Sequence, residues 1–305
     1  MTTAPLGTDA FSTLSGELGD AAERVAPAIV QVYGRKRPAS GIVIGPERVV
    51  STSHSVEWHE GVRIRTNDGK TLQADVAGHA PGADLVLLKV PGLGGAAFPG
   101  GPLPRPGQLG LLTGRAWSGI QQVRLAVIGG VGGPLDASDG TRLDRVISLP
   151  TSPYPGFSGS ALVDPGGSLL GIATAGLIRG RGLVIPWTVA SPLIDSLEAH
   201  GSIRRGFLGL TSQPVRIPTA QRAAAGAPES GLIVLGVAED SPAAKDGVLV
   251  GDILVRTGST RIEHPQQLLA LLGPSQVGQP LALTLVRGKE QLDVTVTVGE
   301  RPSRW

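Results

Sequence analysis

From residue 29 onward the chain is written in short apolar runs broken by turns. Ile29–Gly34, Ser40–Gly45, Arg48–Thr52 and Ala83–Val90 are rich in Val, Ile and Leu and are five to eight residues long, which predicts strands rather than helices. Asn67-Asp-Gly-Lys70 sits between two alternating segments and predicts a hairpin turn. Residues 91–107 are rich in Gly and Pro and predict an exposed connector. A second set of strands is expected in Leu109–Gly114, Val123–Gly130, Asp144–Pro150, Ser160–Asp164, Ser168–Gly176 and Gly182–Pro186. Two consecutive sets of about six short strands predict two antiparallel barrels. An amphipathic helix is expected in the segment that begins at Trp187, ending at Gly201, with Ser191-Pro192 suiting a local N-terminus. Near the N-terminus, a short helical pattern over Glu17–Ala26 runs into Pro27.

The pattern changes after Ser202. Strands are expected at Phe207–Thr211, Gly231–Ala238, Ile253–Thr257, Leu281–Arg287 and Leu292–Val298. Ser241 precedes Pro242 as an N-cap for a short helix, and a second helix begins at Pro265 and stops near Gly273. The expected organisation is an N-terminal arm at 1–21, a two-barrel domain at 22–201, a small α+β domain at 202–300 and a tail at 301–305.

Composition fits a β-rich globular chain: 45 Gly and 25 Pro in 305 residues supply many turns. A net charge of +2 gives no reason to expect nucleic acid as a partner. The absence of Cys excludes a disulfide framework and a thiolate metal site. No apolar stretch approaches the length of a membrane span, and the first residues lack a basic-then-apolar leader. A cytoplasmic location is expected if this start is native, and a periplasmic or secreted one if a leader has been removed.

The chemistry rests on three residues. Acyl transfer at a serine needs a base, a carboxylate that orients it, and N–H donors for the oxyanion. Of the five His, His54 follows the apolar-rich run Arg48–Ser53 at a strand end; His59 and His79 fall in polar turns, and His200 and His264 at helix ends. Asp84 opens the apolar run Leu85–Val90. Ser158 sits between Gly156 and Gly159 in Pro-Gly-Phe-Ser-Gly-Ser, which suits a tight turn with the N–H groups of Gly156 and Ser158 forming the oxyanion hole; Ser160 is the rival hydroxyl. The order His, Asp, Ser spread over two barrels resembles the chymotrypsin arrangement.

Several blocks, in order, are similar to the HtrA/Deg-like serine proteases: Val-Val-Ser-Thr-Ser-His-Ser-Val, Ala-Asp-Leu-Val-Leu-Leu-Lys-Val, Pro-Gly-Phe-Ser-Gly-Ser-Ala-Leu-Val-Asp, Leu-Leu-Gly-Ile-Ala-Thr-Ala-Gly and Arg-Arg-Gly-Phe-Leu-Gly-Leu. Phe157, where that family carries Asn, and Ser160, where it carries Gly, depart from the pattern. The resemblance implies a chymotrypsin-like, mainly β fold of two barrels followed by a PDZ domain. It implies an ATP-independent endopeptidase for unfolded or damaged proteins, with catalytic His54, Asp84 and Ser158 and no metal or cofactor. It also implies a homotrimer and a preference for a small or medium aliphatic residue before the scissile bond, the pocket being sought near Thr151–Tyr154 and Ile172–Gly176, with Ala173 and Thr174 suiting a modest size. The Phe207-Leu208-Gly209-Leu210 loop resembles the carboxylate loop with which PDZ domains receive C-terminal peptides, with Arg204 and Arg205 nearby. The alternative is a protease-like scaffold, weak or inactive in catalysis, that binds C-terminal peptides.

Overall fold

Six antiparallel strands close into a barrel in the first half of the chain. The computed structural model describes residues 10–35, 37–57, 61–95, 97–137, 141–150, 156–178, 181–203, 206–225 and 228–301. The chain divides into two units, Met1–Ser202 and Ile203–Trp305.

In the first unit the barrel strands are β1 (Ile29–Tyr33), β2 (Ala39–Gly45), β3 (Arg48–Ser51), β4 (Val62–Arg65), β5 (Thr71–Ala80) and β6 (Leu85–Lys89), joined in the order β1-β2-β3-β6-β5-β4. Among their residues, Ile29, Ile42, Ile64, Leu85 and Leu87 are fully buried. The hairpin between β4 and β5 turns at Asn67–Lys70, pairing Arg65 with Thr71. Residues 109–186 form a curled sheet of seven strands, from Gln121–Val127 at one edge through Leu109–Arg115, Ala161–Val163, Leu169–Thr174, Leu183–Pro186 and Val146–Ser148 to Gly130–Gly132. Its core gathers Leu112, Ala126, Ile147, Leu162 and Val184.

Two helices differ from the sequence expectation. The N-terminal helix starts at Ala10, earlier than the pattern suggested, and ends at Val25. Gly16 and Gly19 weaken its helical signature, and its buried residues are only Ala21 and Val25, so the apolar stripe is faint. The helix after the second sheet starts at Trp187, where its pattern begins, but Ser191-Pro192 opens no N-terminus and Pro192 lies inside it. Burial of Ala190, Ile194 and Leu197 offsets the hydrogen bond that Pro192 cannot make. Gly201 closes this helix in the left-handed conformation, its N–H donating to the Leu197 carbonyl.

The second unit is a five-strand sheet in the order Leu210–Arg216, Ser230–Val237, Ile253–Thr257, Pro280–Arg287, Glu290–Thr297, with the short strand Thr260–Arg261 beside the third. Ser241 caps the short helix Pro242–Lys245, accepting from the Ala244 N–H at 3.2 Å. The helix Pro265–Leu271 buries Leu268 in a core with Leu232, Leu254, Leu283 and Val296. A further helix, Thr219–Ala225, has no counterpart in the apolar pattern, since Thr-Ala-Gln-Arg-Ala-Ala-Ala carries no large apolar residue.

Candidate active site

The end of β3 delivers His54 on a single 3-10 turn, Ser53–Ser55. Asp84 ends the turn Pro81–Ala83 just before β6, in the left-handed conformation (φ 52°) that Asp tolerates better than most residues. Because β3 and β6 are neighbours, these two ends meet, and the Ser53 N–H donates to the Asp84 carbonyl at 3.2 Å.

The Asp84 carboxylate is buried (side chain 5% exposed) and well supplied with donors, while His54 is open to solvent (36%). Asp84 Oδ1 accepts from the His54 main-chain N–H at 2.9 Å, and His54 Nδ1 lies 2.9 Å from Oδ1 and 2.8 Å from Oδ2. The Thr174 hydroxyl donates to Oδ2 and itself accepts from the Gly176 N–H at 2.9 Å. A buried carboxylate is tolerable only with such partners. The contact fixes Nδ1 as the nitrogen facing the carboxylate, which leaves Nε2 for a reacting group.

Gly176 lies over this pair. A Cβ there would fall 2.5 Å from Asp84 Oδ2 and 2.6 Å from His54 Nδ1.

Ser158 lies on a turn that closes against both barrels. The Ser160 N–H donates to the Phe157 carbonyl at 3.0 Å, the Gly159 N–H to the Ala173 carbonyl at 2.8 Å, and the Ala173 N–H to the Ser160 carbonyl at 2.9 Å. Ala173 adjoins Thr174, so a short path of main chain joins the Ser158 turn to the His54–Asp84 pair. Gly159 (φ 81°) has no room for a side chain, since a Cβ would fall 2.0 Å from the Ser40 carbonyl oxygen. Among the described residues no hydrogen bond joins Ser158 Oγ to His54.

Ser40, fully buried in β2, holds this turn at two points. Its N–H donates to the Ser158 carbonyl at 3.1 Å, and its hydroxyl donates to the Gly156 carbonyl at 3.1 Å while accepting from the Arg115 N–H at 2.9 Å. The Ser51 hydroxyl in turn donates to the Ser40 carbonyl at 2.7 Å. Gly156 takes a positive φ of 89°, and a Cβ there would fall 2.6 Å from that of Ala116. The N–H groups of Gly156 and Ser158 find no acceptor among the described residues, which leaves two donors two residues apart on one turn.

The departures in sequence have structural answers. Phe157 is buried in the second sheet's core, with the Arg124 guanidinium 5.1 Å from its ring centre. Ser160 is fully buried and its hydroxyl finds no partner among the described residues, whereas Ser158 is half-buried. Gly114 accommodates Ser160, since a Cβ on that glycine would fall 2.1 Å from Ser160 Oγ. The expected specificity segment Thr151–Tyr154, His59 and the pair Arg204–Arg205 lie outside the described residues. Thr174, read from sequence as a pocket residue, commits its hydroxyl to Asp84. His79 Nε2 lies 2.7 Å from Ser53 Oγ, beside the base, and its N–H donates to the Gly201 carbonyl at 3.0 Å. Among the described residues no group of three or more His, Cys, Asp or Glu is placed to hold a metal ion, and no helix is long and apolar enough to cross a membrane.

In the second unit, Phe207 pairs with Gly299, and the loop turns at Gly209 (φ 85°), where a Cβ would fall 2.2 Å from that of Ser241. The Leu208 carbonyl accepts from the Ala243 N–H at 2.9 Å and the Gly209 carbonyl from the Ala238 N–H at 2.8 Å. The N–H groups of Leu208 and Gly209 have no acceptor among the described residues. Leu208 buries its side chain, and Leu210 starts the edge strand Leu210–Arg216.

Comparison with known proteins matches residues 39–172 to a trypsin-like peptidase domain and residues 206–298 to a PDZ domain. A probable periplasmic serine endoprotease, DegP-like, of Halomonas elongata is 28% identical over 281 residues, covering 88% of this chain and 57% of its own length. Serine endoprotease DegS of Salmonella typhimurium is 25% identical over 309 residues, covering 93% of this chain and 86% of its own. The chain thus spans little more than half of the DegP-like relatives it matches. Among solved structures, the HtrA-type protease AlgW with a tripeptide superposes with a TM-score of 0.69 at 25% identity, covering 94% of this chain and 98% of that one.

Proposed function

From a chain that joins a trypsin-like peptidase domain to a PDZ domain, as the HtrA-type serine proteases do, we propose a serine endopeptidase working through an acyl-enzyme. Ser158 is the nucleophile, His54 the general base, and Asp84 the carboxylate that orients His54 and stabilises its cation. The N–H groups of Gly156 and Ser158 form the oxyanion hole. The observation that carries this reading is the buried Asp84 carboxylate bonded to His54 Nδ1, beside a turn whose two donors are unused. His54 takes the Ser158 hydroxyl proton as oxygen attacks the substrate carbonyl, then gives it to the leaving amine; water repeats the cycle on the ester. No step needs a metal or cofactor.

The substrates are unfolded or damaged polypeptides, and Leu208 and Gly209 offer their N–H groups to the terminal carboxylate of a peptide in the PDZ domain. We assign the peptidase domain to residues 22–201 and the PDZ domain to 202–300. The protein works in the periplasm as a homotrimer, on the names of the relatives for the first point and on family resemblance for the second. Incubation with casein without ATP tests the activity. Degradation that disappears in Ser158→Ala supports it, and an intact substrate after prolonged incubation with wild-type protein favours the scaffold reading.

A further inference from the structure

The strand Leu210–Arg216 is the outermost of its sheet, so one row of its main-chain groups is open. Successive residues of a strand turn these groups to opposite edges. Three sets of bonds fix which residues face outward. At one end the Gly209 carbonyl accepts from Ala238, and at the other the Ile217 N–H donates to Glu229, both at 2.8 Å, so the odd-numbered residues face the neighbouring strand. In the middle, Val234, opposite Ser212, bonds Asp252 and Gly251 on its far side. The bulge between the two strands leaves Leu235 of the neighbour as the extra residue, so the alternation along 210–216 is unbroken. Leu210, Ser212, Pro214 and Arg216 therefore present their main chain to the open edge.

Proline has no N–H, and here the missing donor faces the open edge. A Pro at this place costs the sheet nothing internally and blunts the edge against further pairing. We propose that an incoming peptide C-terminus is held by main-chain bonds over its last three residues and is released by the fifth, because Pro214 ends the ladder. The proposal rests on the peptide-binding reading of the PDZ domain. With the carboxylate on the Leu208 and Gly209 N–H groups, the last residue lies opposite Leu210. The third from the end lies opposite Ser212 and exchanges both bonds. The fifth meets Pro214, where its carbonyl finds no donor and meets the proline ring instead, which keeps the peptide too far off for its N–H to reach the Pro214 carbonyl. The ligand class is accordingly a short free C-terminus with little demand on the sequence before it, as a frayed or newly cut chain presents.

The test uses the full chain carrying Ser158→Ala, so that ligands survive. Peptides ending in Leu and lengthened only with Ala, of three, four, five and seven residues, are titrated as free acids and as amides. The expected result is binding of the acids, weakening by at least about ten-fold on amidation, and affinities level within about two-fold from four residues to seven. In the Pro214→Ala background the seven-residue acid should gain at least about five-fold over the four-residue one, the worth of the first hydrogen bond restored. A gain of that size in the chain that retains Pro214 overturns the proposal while leaving carboxylate recognition standing. Equal binding of acids and amides, or binding of neither, overturns the peptide-binding reading and the proposal with it.

Discussion

Ser40→Ala isolates one hydroxyl beneath the reactive turn. The side chain is fully buried and serves two main-chain groups, accepting from the Arg115 N–H at 2.9 Å and donating to the Gly156 carbonyl at 3.1 Å. Truncation leaves the buried Arg115 N–H without this partner, at about 1–3 kcal/mol, and the part-buried Gly156 carbonyl without it at about 1 kcal/mol, so unfolding of the protease unit should become easier by about 2–4 kcal/mol. The Ser40 N–H to the Ser158 carbonyl survives, so the turn stays in place but can rock about that bond. Removing an oxyanion donor outright costs about 10²–10³ in kcat. Loosening the turn that bears two donors should cost less, about ten- to a hundred-fold in kcat, with KM changed by less than about three-fold because ground-state binding does not use the hole. Urea unfolding followed by tryptophan fluorescence measures the first effect, and steady-state hydrolysis of a fluorogenic peptide the second. Loss of stability with a wild-type kcat would show that the hydroxyl supports only the fold, and the positioning argument would fail.

Substitutions at two further positions probe the base. Ser53 Oγ and His79 Nε2 lie 2.7 Å apart beside His54, so His79→Leu should lower kcat by about five-fold at unchanged KM, while His79→Gln, which restores a polar partner, should recover most of it; identical rates in the two variants would refute a positioning role. Gly176→Ala forces a methyl to within 2.6 Å of His54 Nδ1 and closer still to Asp84. Displacing the pair should lower kcat/KM by about a hundred-fold or more, and near-normal hydrolysis would mean that the pair is free to move without consequence.

Much of the fold was legible because its elements are local. The apolar runs of β1, β3 and β6 announce themselves, and so do the Asn67–Lys70 turn and the Ser241 cap. His54 and Asp84 stood out only together, through the order His, Asp, Ser and the family resemblance, since each alone is a polar residue at the end of an apolar run. The residues that hold the site together were not legible. Thr174 reaches Asp84 across 90 positions and Ser40 reaches Gly156 across 116, and a hydroxyl in a strand carries no local sign of such a partner. The role of Pro214 was hidden in the same way, since its meaning depends on which edge of the strand its nitrogen faces. Helix ends were blurred where glycine or proline lies inside, as at Gly16, Gly19 and Pro192, because packing decides those cases and propensity does not.

The central claim is that Ser158 is a nucleophile activated by His54. A fluorescent fluorophosphonate reacts covalently with such a hydroxyl and is read directly on a denaturing gel. Wild-type protein should label, His54→Ala should label far more slowly, and Ser158→Ala should not label while retaining the wild-type circular dichroism spectrum. Labelling of Ser158→Ala at the wild-type rate would contradict the account.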